Sequence, residues 1–230
     1  MVNVVDINAY KYFMHISEFP NFETEFFEVD LDQKYVRVAQ AVYDKHSESH
    51  FLRLPLGSEI QTFLLFHELT HIYDMERYKT GESNYDFCLT GYMEYHAAQV
   101  ELMVLMGAST FCDKIAFLMN DPMRDFDCSV RQYLEQKLDT AIALLSDDGN
   151  QNLLDGIGVF YNFLGMKSIC SMYAIDFKDD FCYQQFANQF SAYLLSIVLQ
   201  FMMGFEIDID KAVGLYSNVV DIVFHGNESV

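Results

Sequence analysis

Apolar residues recur at three- and four-residue spacing along most of this chain, and each such stretch predicts a helix. In the first, Ile60, Phe63, Leu64, His67, His71, Asp74 and Tyr78 share one stripe. Ser58 and Gln61 form a capping box after Pro55-Leu56-Gly57, and Gly81 supplies the C-cap, so this helix is expected to run to about Lys79. A second helix, capped by Thr90, runs through Gly107. Val130, Leu134, Leu138, Ala141 and Leu145 mark a third that ends at Asp147-Asp148-Gly149, and Ile209 to Phe224 makes a last one. Asn152 to Phe177 keeps apolar periodicity from Leu154 through Tyr161 to Leu164, but glycines at 156, 158 and 165 weaken a continuous helix. Upstream of all these, Tyr35 to Val42 alternates loosely and His50 to Leu56 reads as a second short strand, which Pro55 confines to a sheet edge. The fold class predicted is α+β and mostly helical. A short sheet and a metal-binding helix occupy residues 1–110, and a helical subdomain over 111–230 packs on them closely enough for the whole to be one domain.

Within the first helix, His67-Glu68-Leu69-Thr70-His71 reads H-E-x-x-H. Histidines four apart lie on one helical face, one turn from each other, so both imidazoles can reach a single metal ion. Glu68 stands about 100° around the helix. From there its carboxylate can touch a water on the metal without replacing it, as a general base must. This is the shortest arrangement from which a zinc hydrolase can be built.

Such a site needs a third protein ligand and one open position, for which Glu94, His96 and Glu101 are the candidates. On the second helix Glu94, Ala97, Ala98 and Glu101 share a face, while His96 points about 200° away from Glu94. The alanines allow close packing against the histidine helix. Glu101 lies two turns along, about 10 Å by helical rise, which favours Glu94. Tyr85, Tyr92, Tyr95, His96 and His225 could each stabilise developing charge opposite the metal, and none is singled out by the sequence.

Phe63-Leu64-Leu65-Phe66 leading into H-E-x-x-H, then Glu94-x-x-Ala97 on a following helix, resembles the gluzincin branch of zinc metallopeptidases, and within it the ImmA/IrrE family. The likeness covers roughly residues 50–107. It implies a zincin-like short sheet, a helix carrying His67, Glu68 and His71, and a following helix carrying the third ligand at Glu94. It further implies one zinc ion per chain and peptide-bond hydrolysis with Glu68 as general base. Gluzincins of the thermolysin and neprilysin kind often place an Asp four residues after the third ligand to orient a histidine, but here Ala98 stands there. Asp74, three residues beyond His71 and at an offset where neprilysin-like peptidases carry an Asp, can share the histidine face and take that part. ImmA/IrrE-type proteins cut or regulate repressors; the helical second half here is unlike their compact form.

Composition narrows the partners. A net charge of −20 argues against nucleic acid and favours a basic protein or peptide as substrate, while also keeping the chain soluble. Phe181 to Phe205 carries no charge, but Gln184, Gln185, Asn188, Gln189 and Gln200 interrupt it and its flanks are acidic. Phe186, Phe190, Tyr193, Ile197 and Phe201 therefore read as the buried stripe of one long helix, and no membrane partner is expected. Five cysteines without C-x-x-C spacing read as reduced thiols, and the opening Met-Val-Asn-Val-Val-Asp lacks a secretory pattern, so a cytoplasmic location is expected. His15, His46 and His50 read as surface or loop residues. Two other functions use the same letters. One is a noncatalytic regulatory or binding protein that retains a zinc site. The other is a di-iron carboxylate helix bundle, for which Glu68-x-x-His71 has the spacing but no second Glu-x-x-His follows.

Overall fold

The computed structural model describes residues 7–28, 39–57, 59–124, 126–146, 149–205 and 207–225. They form an α+β fold dominated by helix, in the order α1 (Ile7–Met14), β1 (Phe22–Phe27), β2 (Gln40–Asp44), β3 (Ser49–Pro55), α2 (Thr62–Tyr78), α3 (Ser83–Cys88), α4 (Thr90–Leu105), α5 (Val130–Leu145), α6 (Asn150–Tyr173), α7 (Gln184–Phe190), α8 (Ala192–Phe201) and α9 (Ile209–His225). The strands make one sheet in the order β1-β3-β2, with β1 parallel and β2 antiparallel to β3. Along β3 the side chains of His50, Leu52 and Leu54 are buried and those between them are half-buried, the alternation of a strand with one face on the core.

The expected edge position of this strand is wrong, because β3 is central. Among the described residues the β2 ladder reaches only to Gln40↔Arg53, and Pro55 is paired with Phe27 of β1. The sheet edge beside α2 belongs, among the described residues, to β2 instead. Part of the earlier predicted strand, residues 35–38, lies outside the described residues. Neither α1 nor β1 was expected; α1 buries Tyr10 and Phe13 against Phe66 of α2, and Tyr10 donates a hydrogen bond to Thr70 Oγ1 at 3.0 Å.

From the sheet outward the layers are α2, α4, α6 and α5, with α9 packed across α3, α4 and α6. One apolar core runs from Tyr10 to Val219 through all of them. Helix α2 starts at Thr62, with Gln61 before it making no side-chain cap; Ser58 lies outside the described residues. Thr90 is not a cap either, since α3 leads through a helical Leu89 straight into α4. Helix α5 has the capping box instead, with Ser129 and Gln132 bonding each other's backbone.

Helix α6 is continuous despite its glycines, because they are contact points. A Cβ at Gly165 would stand 2.1 Å from the Tyr95 carbonyl oxygen, so only glycine lets α6 lie this close to α4. The long helix expected over 181–205 is broken. Ser191 adopts φ 65°, and its hydroxyl accepts from Leu194 N to start α8 afresh, which leaves Tyr193 exposed while Phe186 and Phe190 stay buried. Among the described residues no helix is long and apolar enough to cross a membrane.

Candidate metal centre

Helix α2 is enclosed by the sheet, α1 and α4, and both motif histidines are buried in that enclosure. His67 Nε2 and His71 Nε2 lie 3.1 Å apart. Glu94 Oε2, reaching over from α4, is 3.8 Å from the first and 3.6 Å from the second. Ligands about 2.0–2.1 Å from a tetrahedral ion stand about 3.3–3.4 Å from one another, so these three atoms are spaced to share one first-row divalent cation. Of the three candidates for third ligand, Glu94 is the one in the cluster.

His96 is turned away from it and bonds Asp74 Oδ2 at 2.7 Å. That contact also corrects the supporting role expected of Asp74: its carboxylate is fully buried but spent on His96, with Oδ1 unpartnered, and it makes no bond to either motif histidine. The carboxylate that orients a histidine is Glu101. Its Oε2 lies 2.8 Å from His67 Nδ1, and its Oε1 accepts from the Tyr133 hydroxyl at 2.5 Å with Lys137 Nζ 3.7 Å away. A metal-binding imidazole is commonly fixed in this way through its second nitrogen, which also sets the tautomer. Ala98, at the offset where an Asp was looked for, is buried, and Glu101 does its work three residues later.

These contacts have electrostatic consequences. Burial alone pushes the His67 imidazole down, but the bond to Glu101, with the Glu94 and Glu68 charges nearby, outweighs it and raises its pKa to about 10. Burial pushes Glu94 up, yet the His71 and His67 imidazoles beside it bring it down to about 2. For Glu101 burial is again overcome, here first by Lys137 and then by His67, to about 2. These directions favour charged carboxylates beside a protonated His67, and an ion held at its Nε2 would have to displace that proton.

Glu68 points elsewhere, as its place on the helix requires. Its Oε2 accepts a 2.6 Å hydrogen bond from the backbone N–H of Ala41, on the open edge of β2. In an antiparallel ladder alternate residues turn their N–H outward, so Ala41 and Tyr43 present theirs to this side. The cluster opens into a cavity of about 380 Å³. One wall is β2 with Glu68 and Met75; the other is α6 with Leu154, Asp155 and Asn162, joined by Lys137 and Tyr216. His50 also borders the cavity, buried and bonded to Glu76 at 3.0 Å, so its expected place at the surface is corrected. Of the charge-stabilising candidates, Tyr85 bonds Asp210, Tyr95 bonds the Gly204 carbonyl, and Tyr92, His96 and His225 do not line the cavity; Tyr43 and Tyr216 do.

Tyr133 and Lys137 had no signal in the sequence, because nothing local to α5 marks residues that reach a carboxylate on α4. Comparison with known protein families, with curated proteins and with solved structures finds no match.

Proposed function

We propose that this protein is a zinc-dependent hydrolase of peptide bonds, of the gluzincin kind that its H-E-x-x-H helix and following glutamate resemble, acting on an extended protein or peptide segment. The observation that carries the reading is the joint presence, on one cavity, of a three-atom donor set with tetrahedral spacing and a carboxylate beside it that is not a member of that set. A purely structural site closes its fourth position with a protein ligand and has no use for the second feature.

A zinc ion held there would supply a Lewis acid that polarises a carbonyl and lowers the pKa of a bound water to about 7. The chain's own residues do the rest. Glu68 accepts a proton from the attacking water and returns it to the leaving amine. His67 is kept in one orientation by Glu101, so the donor set needs little rearrangement. With the Ala41 N–H held by Glu68, Tyr43 and the Ala41 carbonyl offer backbone groups to a strand laid along β2, which holds the scissile bond over α2. The net charge of −20 steers basic segments toward the cavity.

The test is elemental analysis of the protein purified without added zinc, beside the E94A variant. One equivalent of zinc, reduced in the variant, is the expected result. Two irons per chain would move the case to a di-iron protein, and no metal in either sample would overturn the reading. One zinc without hydrolysis of any peptide in a mixed, lysine- and arginine-rich set would leave the noncatalytic zinc protein.

A further inference from the structure

Helix α6 is buried from Gly156 to Cys170, yet the face it turns to the cavity carries a polar stripe. Gln151, Asp155, Gly158 and Asn162 all line the cavity, and at about 100° per residue the four fall within one narrow arc. Gly158 fixes where the stripe stands. A Cβ built on it would be 3.7 Å from Glu94 Oε1, so the backbone of α6 passes directly beside a donor residue of the proposed metal centre. Asp155 lies one turn before that point, about 4.5 Å by helical rise, and Asn162 one turn beyond it. Gln151 Nε2 donates to Asp155 Oδ1 at 2.9 Å, which restrains the carboxylate. Asn162 is 5 % exposed, and its Oδ1 has no partner among the described residues. What Asp155 and Asn162 Oδ1 can take from a ligand is a hydrogen-bond donor. Of the carboxylates on the cavity wall, Glu68, Glu94 and Glu101 form or support the centre, and Asp155 is the one outside it.

We propose that this stripe is a substrate subsite for a lysine or arginine side chain, with Asp155 as its specificity-determining residue. This rests on the peptidase reading above. A strand laid along β2 turns alternate side chains toward the opposite wall, which is α6. From a residue held at the centre, a side chain passing over Gly158 meets bare backbone there and reaches Asp155 one turn away, a path that suits the long stem of a basic side chain. Its charged end then pairs with Asp155, and a second donor of the same residue, its main-chain N–H, answers Asn162 Oδ1. An acidic side chain would instead face Asp155, Glu68 and Glu94 together, and like charge rejects it. Net charge steers basic segments from a distance; Asp155 decides which residue of such a segment is set at the cut.

The experiment uses the full chain and the variants D155N and D155K against one peptide mixture in which every residue type is equally represented. Cut sites are read by mass spectrometry, and zinc content is measured on each sample so that loss of the centre is not mistaken for loss of the subsite. The parent should favour lysine or arginine at one fixed position next to the cut. In D155N that preference should fall by about 10- to 100-fold, the worth of a hydrogen-bonded charge pair, and in D155K it should pass to aspartate or glutamate. A binding measurement frees the test from turnover. E68Q should bind a peptide with lysine at that position about 10- to 100-fold more tightly than the same peptide with uncharged norleucine, and E68Q/D155N should bind the two alike. Parental cut sites without a basic residue at a fixed position, or one preference shared by parent and variants, would overturn the proposal and leave the peptidase reading standing. A parent that cuts no peptide in the mixture would instead remove that reading and this inference together.

Discussion

Residues before about 110 and residues after it contribute to the centre in opposite ways. His67, His71 and Glu94, with Glu68, come from α2 and α4, whereas Tyr133 and Lys137 of α5 reach the Glu101 carboxylate that α4 presents. On the metal reading proposed above, the first region supplies the atoms that would meet an ion, and α5 supports the carboxylate that aims one of them. Motif chemistry is local and survives on one helix. Aim is a tertiary property, because it depends on how close α6 comes to α4, and that closeness rests on Gly165.

The sharpest way to break this division is within the first region. E68Q keeps the size and hydrogen-bonding shape of the side chain but removes the base. Turnover should fall by about 10²- to 10⁴-fold while zinc binding stays near the parental value. Peptide hydrolysis followed by mass spectrometry, with zinc content measured on the same sample, checks both halves of the statement. Substantial turnover in E68Q would take Glu68 out of the mechanism.

Next comes the one supporting group supplied by the first region itself. E101Q removes the charge that binds His67 Nδ1, and zinc affinity by chelator competition should drop by about 10- to 100-fold. The His67 pKa should drop with it, which NMR titration of the metal-free protein would read. An unchanged imidazole titration would mean that Glu101 does not govern His67.

Sequence made the first region legible and left the second opaque, for reasons visible in these residues. His67, Glu68 and His71 lie within two turns of one helix, and Glu94 follows from periodicity on the next, so short-range geometry is enough to group them. Glu101 is recognisable as a candidate but not in its true role. Whether it meets the metal side or the far nitrogen of His67 depends on the offset between α2 and α4, which no spacing encodes. Asp74 fails in the converse way: it shares the right face, yet His96 on α4 arrives to take its carboxylate. The helical pattern itself was mostly readable, but the break at Ser191 rests on one residue's backbone angle, and the centrality of β3 on a β1 strand whose mostly exposed side chains give no alternation. Tyr133 and Lys137 stand among many polar residues of α5, and only their contacts with Glu101 single them out.

On the metal reading proposed above, proton and ion would compete for His67, and its raised pKa predicts a pH dependence of the metal-free protein. With a folded pKa near 10 against an ordinary value of about 6.5, His67 stabilises the fold fully below pH 6.5, and that contribution is lost as pH rises toward 10. Glu94 and Glu101, both near 2, act in the other direction. Their stabilisation is present above about pH 4.5 and is lost as pH falls toward 2. The metal-free melting temperature should therefore peak between about pH 4.5 and 6.5 and decline on the alkaline side. Saturating zinc should flatten that alkaline decline, because the cation then replaces the proton. A metal-free protein equally stable from pH 6 to 9 would contradict the raised His67 pKa.

The smallest effect is expected from Tyr133, and it measures how much aim the second region supplies at this point. In Y133F the hydroxyl bonded to Glu101 Oε1 is lost, but Lys137 remains 3.7 Å from the same oxygen and His67 keeps Oε2. The buried charge is therefore not stranded, and the loss should be that of one hydrogen bond, about 0.5–1.5 kcal/mol. Zinc affinity in the chelator competition should fall by no more than about tenfold, less than in E101Q. If Y133F instead matched or exceeded E101Q, the orientation of His67 would be governed from α5, with Glu101 passing on a constraint that originates there. Removing the lysine in the Y133F background then discriminates further: with both supports gone, Glu101 is a buried carboxylate held by His67 alone, and the combined loss should exceed the sum of the single ones.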